Sequence, residues 1–141
     1  MGNVLYMHPE VKAAVAAAGF WKSGDFIIDQ GRRMIGGAVD VLAPYIRLYE
    51  KIRFGSEFSS VPVIEGMDRT EAGVMIVQGG NDDVVPKECG YDPVYEAFGD
   101  LERFQFVLYD DRGHEDLLGA PEPDQVLMER ILEWFDACCT K

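Results

Sequence analysis

The sequence predicts an α/β fold in which helices flank a small parallel sheet. Two continuous apolar runs, residues 74–77 and 104–109, each end at a pair of turn-forming residues, and a helical stretch lies between them. Such runs are typical of strands buried on both faces, and a strand, helix, strand order favours parallel strands with a right-handed crossover. Residues 121–141 carry an amphipathic pattern, which predicts a helix packed on the sheet. Together these observations predict one α/β domain over residues 1–141.

The first part of the chain predicts one strand followed by two helices. Residues 11–19 are mostly small and apolar and end in glycine, which favours a strand covered on both faces. Apolar side chains within residues 23–54 recur at spacings of three and four, and Gly36-Gly37 separates two helices. Pro44 is expected to kink the second helix or to lie in its first turn. The apolar face of that helix comprises Leu42, Tyr45, Ile46, Tyr49 and Ile52.

The rest of the chain predicts strand, helix, strand and helix. Gly79-Gly80 ends the strand at residues 74–77. A short helix is predicted over residues 91–98, with Pro93 tolerated in its first turn and Gly99 just past its end. After the strand at residues 104–109, the last helix places its apolar side chains on one face, and these are Leu127, Ile131, Trp134, Phe135 and Cys138.

The composition is that of one globular domain with a large negative charge. The chain has 141 residues, of which 48% are hydrophobic, so a packed core needs no metal or disulfide. Its 13 basic and 25 acidic residues give a net charge of −12, which opposes binding to nucleic acid or to an anionic membrane surface. The three cysteines, two of them adjacent at Cys138 and Cys139, have neither a disulfide pattern nor metal-ligand spacing. We expect a cytoplasmic protein with reduced thiols, no cofactor, no nucleic-acid partner and no membrane partner.

Candidate catalytic residues follow two neighbouring strands of the predicted sheet. Asp82 lies in the loop after the first strong strand, and His114 lies in the loop after the next one. The carboxyl ends of parallel strands meet at one edge of a sheet, so these side chains are expected to lie close together. A carboxylate there can accept the Nδ1 hydrogen of the imidazole and fix its tautomer. An acidic loop is also ordinary turn chemistry, so the spacing alone leaves both interpretations open.

Two other kinds of site are weaker alternatives at this edge. Hard cations take oxygen ligands, yet the spacing of the acidic residues matches no calcium loop, and no metal site is expected. Gly79-Gly80 lacks the lysine of a phosphate-binding loop. His8 precedes Pro9 at a predicted helix end and is interpreted as structural. The acidic residues considered as metal ligands are Asp82, Asp83, Asp110, Asp111 and Glu115.

Three segments resemble the C-terminal half of an α/β-hydrolase of the serine esterase and peptidase-like branch. These segments are VMIVQGGNDDVVP, FVLYDDRGHED and DQVLMERILEWFDACC. The resemblance implies that Asp82 corresponds to the triad acid and His114 to the triad histidine. It also implies that residues 11–20 are the strand after the nucleophile helix and that residues 23–54 are a helical lid-like insertion. The expected fold is therefore a partial α/β-hydrolase fold.

The sequence departs from that family at the nucleophile. The family places its serine in G-x-S-x-G, and no such motif occurs among these residues, whose serines are Ser23, Ser56, Ser59 and Ser60. Residues 3–8 resemble the end of the helix that follows the nucleophile, so the serine is expected upstream of this sequence. We expect little or no esterase activity from this polypeptide alone. The strand at residues 11–19 is expected to expose an unpaired edge to a second copy or an N-terminal half.

Two functional hypotheses follow from these observations. The first is hydrolysis of a small-molecule carboxylic ester or amide, in which Asp82 orients His114 as general base and the serine is missing from this chain. The second is a non-catalytic truncated remnant that acts as a dimerising or binding module. This module is expected to retain an apolar pocket under Phe26, Met34, Tyr45 and Tyr49. The apolar faces of the two helices within residues 23–54 have a third, plainer interpretation as core.

Overall fold

A computed structural model of the chain describes residues 1–55, 64–118 and 124–140. Within these ranges the chain forms three strands and seven α-helices, and a single turn of 3-10 helix at Lys87–Cys89. In chain order the elements are α1 (Gly2–Met7), β1 (Ala13–Ala17), α2 (Ser23–Ile35), α3 (Ala38–Phe54), α4 (Ile64–Asp68), β2 (Gly73–Gly79), α5 (Tyr91–Phe98), β3 (Phe104–Tyr109), α6 (Glu115–Leu118) and α7 (Gln125–Cys139).

The three strands form a parallel sheet in the order β1-β2-β3. The central strand β2 is buried along its whole length, as its continuous apolar run predicts. In the register of the sheet, Ala17 pairs with Val77 and Gly79 pairs with Tyr109. The loops after β2 and β3 therefore leave the sheet side by side. The predicted fold class, a small parallel sheet flanked by helices, is confirmed.

Apolar residues fill both faces of the sheet. Side chains alternate along a strand, so Val74 and Ile76 of β2 face one side while Met75 and Val77 face the other. On the first side they join a cluster with residues of α1, α4 and α5. On the second side they pack with α6 and α7, where Leu127 is fully buried. The predicted amphipathic helix is thus confirmed over Gln125–Cys139, and residues 121–123 and 141 of the predicted segment lie outside the described ranges.

Helices α2 and α3 form a hairpin, as the Gly36-Gly37 break predicts. Gly36 ends α2 with a positive φ of 64°, a backbone conformation that glycine adopts without the strain a side chain would add. The two helices approach closely where Gly31 meets Val39. Pro44 lies beyond the first turn of α3, so that alternative for Pro44 is wrong. At this position the proline removes the hydrogen bond that its own N–H would donate to the carbonyl of Asp40.

The apolar face of α3 is exposed, which contradicts its interpretation as core. Leu42, Tyr45, Ile46, Tyr49 and Ile52 lie among the exposed large hydrophobic side chains, although their helical spacing was correctly predicted. The reason is geometric, because within the described ranges the main neighbour of α3 is α2, which covers the side that carries Val39. None of the described helices combines the length and the apolar character needed to cross a membrane.

Candidate functional site

The loops after β2 and β3 are held together by main-chain hydrogen bonds. The N–H of Gly80 donates to the carbonyl of Tyr109 at 2.8 Å, and the N–H of Asn81 donates to the carbonyl of Arg112 at 2.9 Å. A Cβ atom at Gly79 would overlap that Arg112 carbonyl, so the close approach requires glycine. The glycine pair therefore ends the strand and also joins the two loops that carry the candidate catalytic residues.

Asp82 is a buried carboxylate with hydrogen bonds to both oxygens. Its side chain is 0% exposed. Oδ1 accepts from the N–H of Val84 at 3.0 Å and from the N–H of Val85 at 2.7 Å. Oδ2 accepts from Nε2 of Gln78 at 3.1 Å. These donors offset the cost of removing a charge from water and fix the direction in which Oδ2 points.

His114 lies against the remaining side of that carboxylate. Its Nδ1 is 2.9 Å from Oδ2 of Asp82, and the two residues are separated by 32 positions in the sequence. Because Oδ2 of the carboxylate accepts, the hydrogen is assigned to Nδ1, which leaves the lone pair of the neutral ring on Nε2. The His114 side chain is 35% exposed, so the ring is supported on one side and accessible on the other. The preceding Gly113 N–H donates to Oδ2 of Asp116 at 2.8 Å, which orders the loop.

Gln78 is a site residue that the sequence analysis did not single out. Its amide Nε2 donates to Asp82 and also to the carbonyl of Val85 at 3.0 Å. Gln78 therefore bridges the end of β2 to residues 80–86, which we call the acid loop because they include Asp82. The feature of the sequence that could have identified Gln78 is a single amide side chain at the end of an otherwise apolar strand. A buried polar group needs partners, and in this protein those partners are the candidate acid and its loop.

Helix α2 also contacts the acid loop. Nε2 of Gln30 donates to the carbonyl of Val84 at 2.7 Å, and the guanidinium of Arg33 donates to the carbonyl of Asp83. Arg33 additionally pairs with Asp29 of the same helix at 3.1 Å. The helical hairpin is therefore connected by polar bonds to the loop that holds the carboxylate.

The end of the acid loop is anchored to α5. The ammonium of Lys87 lies 2.9 Å from the carboxylate of Asp92, and this hydrogen bond raises the pKa of Lys87 above its ordinary value. Burial raises the pKa of the neighbouring Tyr91 phenol. Since the 3-10 turn at Lys87–Cys89 leads directly into α5, these contacts fix where the acid loop ends.

The remaining residues considered at the sequence level are four acidic residues and His8. Asp83, Asp110, Asp111 and Glu115 are exposed. Within residues 1–55, 64–118 and 124–140, no three His, Cys, Asp or Glu side chains are grouped as metal ligands. His8 caps the end of α1, where its Nδ1 lies 2.9 Å from Glu10.

An apolar cavity of about 230 Å³ lies between the carboxyl end of β1 and α5. The cavity is not the predicted pocket, because its lining includes none of Phe26, Met34, Tyr45 and Tyr49. The last three of these side chains are 83%, 68% and 62% exposed. Beside the cavity, Ala18 follows β1 with a φ of 49°, which is uncommon for a residue other than glycine. The lining residues are Met1, Ala16, Gly19, Phe20, Met67, Ile76, Gly90 and Val94.

Comparison with known proteins gives a likeness at the level of the fold. No family model matches the sequence, and no curated protein matches it either. Among solved structures, the chain is similar to acetyl xylan esterase 1 from Thermoanaerobacterium sp. JW/SL YS485, with a TM-score of 0.56 and 17% sequence identity. The likeness covers 94% of this chain and 40% of the esterase chain, so this chain spans less than half the length of that protein. The shared feature is the α/β fold.

Proposed function

We propose that this chain carries the acid and the base of a site that hydrolyses a carboxylic ester or amide, with the nucleophile supplied by residues outside this sequence. One observation carries the proposal, namely the 2.9 Å contact between Nδ1 of His114 and the fully buried carboxylate of Asp82. The fold-level likeness to an esterase supports the same reaction class. In this proposal residues 23–54 act as a helical lid-like insertion beside the site.

The proposed chemistry assigns one task to each side chain. Asp82 accepts the Nδ1 hydrogen, so the neutral ring of His114 presents the lone pair of Nε2 to a nucleophilic hydroxyl. As that hydroxyl attacks the carbonyl carbon of the substrate, its proton passes to Nε2, and the imidazolium forms beside the carboxylate. The same proton is then donated to the leaving alcohol or amine. Asp82 stays ionised throughout and stabilises the positive ring.

The base can be tested in this chain without the missing nucleophile. An accessible neutral imidazole attacks p-nitrophenyl acetate itself through Nε2. The attack expels p-nitrophenolate and forms an acetyl-imidazole that water then hydrolyses. We would follow p-nitrophenolate release at about pH 8.5, roughly two units above the ordinary histidine pKa of ~6.5, where unpaired imidazoles are neutral. We expect slow hydrolysis that falls to background in His114→Ala and is reduced in Asp82→Asn.

The chain offers a matched control because it contains 2 histidines. His8→Ala keeps the same cysteines and lysines, which also react with activated esters, and it should retain most of the histidine-dependent rate. If His114→Ala leaves the rate unchanged, or if both histidine variants lose it equally, the role assigned to His114 is wrong. The position of the nucleophile has a separate test, because the coding DNA immediately upstream should encode an in-frame G-x-S-x-G.

A second candidate function is an interaction module without catalysis. Two observations favour it: β1 is an outer strand of the described sheet, and α3 exposes its apolar face. An unpaired strand edge can pair with a strand of another chain, either a second copy or a separately encoded N-terminal half. Under this proposal, partner binding through the β1 edge replaces catalysis as the function of the domain.

Sedimentation equilibrium distinguishes the two candidates. A homodimer at micromolar concentration that dissociates when Ala13 of β1 is changed to Pro would favour the module, because in this register the N–H of Ala13 points away from β2 and proline removes it. The matched control is Ala137→Pro near the end of α7, which introduces the same residue into a helix and leaves every N–H group of β1 in place. A monomer with histidine-dependent ester hydrolysis would favour the hydrolase half.

A further inference from the structure

We propose that Gln30 and Arg33 of α2 are positioning residues that hold the acid loop in the geometry that pairs Asp82 with His114. We call the contacts of these two side chains with the acid loop the clamp. The importance of the clamp for hydrolysis rests on the proposed function above. The clamp itself is a property of the resting protein, so it can be measured without a substrate.

Two consecutive peptide groups bind the carboxylate of Asp82. The N–H of Val84 and the carbonyl of Asp83 belong to one planar peptide unit, and the N–H of Val85 and the carbonyl of Val84 belong to the next. Both N–H groups donate to Oδ1 of Asp82. Because N–H and C=O point in opposite directions in a trans peptide, both carbonyls point away from the carboxylate.

Helix α2 binds both of those carbonyls. Arg33 donates to the carbonyl of Asp83, and Gln30 donates to the carbonyl of Val84 at 2.7 Å. Each peptide unit that holds the acid is therefore held from its other end by one side chain of α2. Gln30 and Arg33 are three positions apart, so they lie on one face of the helix and can reach consecutive peptides.

The two bonds have an electrostatic consequence as well as a geometric one. A donor on the carbonyl of a peptide polarises its N–H, so a chain of such bonds is stronger than its separate members. At one of the two peptides the donor is a guanidinium, which carries a full positive charge. The chain of bonds runs from Arg33 through a peptide to Asp82 and then to His114. Loss of the α2 donors is expected to loosen the carboxylate and to weaken its hold on Nδ1.

The neighbouring arginine has a different partner and provides the control. Arg32 pairs with Asp40 of α3 at 2.7 Å, so it joins the two helices of the hairpin. Arg33 is directed to the acid loop. Removal of either arginine takes one positive charge from an exposed stretch of the same helix. The two variants differ in whether a peptide that holds Asp82 loses its donor.

The experiment is nuclear magnetic resonance of the whole ¹⁵N-labelled chain. Ring nitrogen shifts, detected through the carbon-bound protons, report which nitrogen of His114 carries the hydrogen. Amide exchange at Val84 and Val85 reports how often the loop opens. In the unmodified chain we expect the Nδ1–H tautomer and protected amides. In Gln30→Ala with Arg33→Ala, amide exchange should rise by about tenfold or more, since both peptides that hold Asp82 lose the donor on their carbonyl. The His114 tautomer population should shift toward Nε2–H.

Three comparisons decide the outcome. Arg32→Ala should leave the His114 tautomer and the Val84 exchange rate unchanged, and Gln30→Ala with Arg33→Lys should recover part of the protection. If the double alanine variant does not fold, Gln30→Ala alone should still raise the exchange at Val85 by about threefold. Unchanged tautomer and exchange in a folded double variant, or equal effects in Arg32→Ala, would overturn the clamp. Ester hydrolysis independent of His114, with a clear response in exchange, would overturn the proposed function and leave the clamp standing.

Discussion

Asp82→Asn changes one atom of the candidate site and removes one buried charge at nearly constant volume. The carboxylate accepts two main-chain N–H groups on Oδ1, and on Oδ2 it accepts Nε2 of Gln78 and pairs with Nδ1 of His114. An asparagine that keeps its oxygen toward the loop places its NH₂ group against these two side chains. The new NH₂ group, the amide of Gln78 and the Nδ1–H of His114 are then all hydrogen-bond donors, so their contact becomes unfavourable.

The magnitude of the loss follows from these partners. A hydrogen bond to a charged group contributes about 1.5–3 kcal/mol, and a buried donor left without an acceptor costs about 1–3 kcal/mol. Two terms reduce the total. The amide of Gln78 keeps its bond to the carbonyl of Val85, and the ring of His114 can move its hydrogen to Nε2 and accept from the new NH₂ group. We therefore expect the free energy of unfolding to fall by roughly 2–4 kcal/mol.

The assay is urea denaturation of Asp82→Asn beside Asp83→Asn. Asp83 is the next residue and has an exposed side chain, so its substitution makes the same chemical change outside the site. It should alter the free energy of unfolding by no more than about 0.5 kcal/mol. If the two variants unfold at the same urea concentration, the carboxylate of Asp82 is not bonded as described, and the reasoning for the acid–base pair fails with it. If Asp82→Asn is destabilised but His114 keeps the Nδ1–H tautomer, only the predicted movement of the ring hydrogen to Nε2 is refuted.

Three further predictions use stability measurements by urea denaturation. Gln78→Leu should lower the free energy of unfolding by about 1–3 kcal/mol because the buried carboxylate and a carbonyl lose their donor, and a neutral result would contradict the bridging role. Gly79→Ala should cost roughly 1–3 kcal/mol because the added Cβ overlaps a main-chain carbonyl, whereas Gly37→Ala, where a Cβ meets nothing, should be neutral or slightly stabilising. Equal stabilities of those two variants would argue against the close approach of the two loops. Ile52→Ser, at a side chain that is 76% exposed, should change stability by less than about 0.5 kcal/mol, and Leu127→Ala, at a fully buried one, should cost about 2–5 kcal/mol. A large loss in Ile52→Ser would show that the apolar face of α3 is covered in solution.

The sheet and the helices that cover it could be predicted because local sequence specifies them. The strand Phe104–Tyr109 and the helix Tyr91–Phe98 have the predicted bounds. Asp110-Asp111 marks the end of the strand, and Gly99 marks the end of the helix. The order strand, helix, strand also predicts a parallel sheet. That topology brings Asp82 and His114 to the same edge, so their proximity follows from two loop positions.

The exposed face of α3 and the contacts of α2 could not be predicted in the same way. Helical spacing shows which side chains share a face, and what covers that face depends on how the helix docks. Tyr45 and Tyr49 of α3 therefore lie in solvent although their pattern is typical of a packed helix. The bonds from Gln30 and Arg33 to the acid loop join residues 54 and 50 positions apart, a relation that no local pattern contains.

The site joins a rigid acid to an accessible base, and this asymmetry suits the proposed chemistry. The four bonds of the Asp82 carboxylate come from the acid loop, from the end of β2 and from His114, so the direction of its charge is fixed. Three of these partners are neutral amide groups that cannot take up a proton from a substrate. The partner that can become charged is His114, whose side chain is 35% exposed. A proton that reaches Nε2 converts the hydrogen bond between a neutral ring and the carboxylate into an ion pair with that desolvated carboxylate, where the attraction is stronger than in water. Because the carboxylate of Asp82 is fixed and the ring of His114 is accessible, the carboxylate stabilises the ring that must carry the proton.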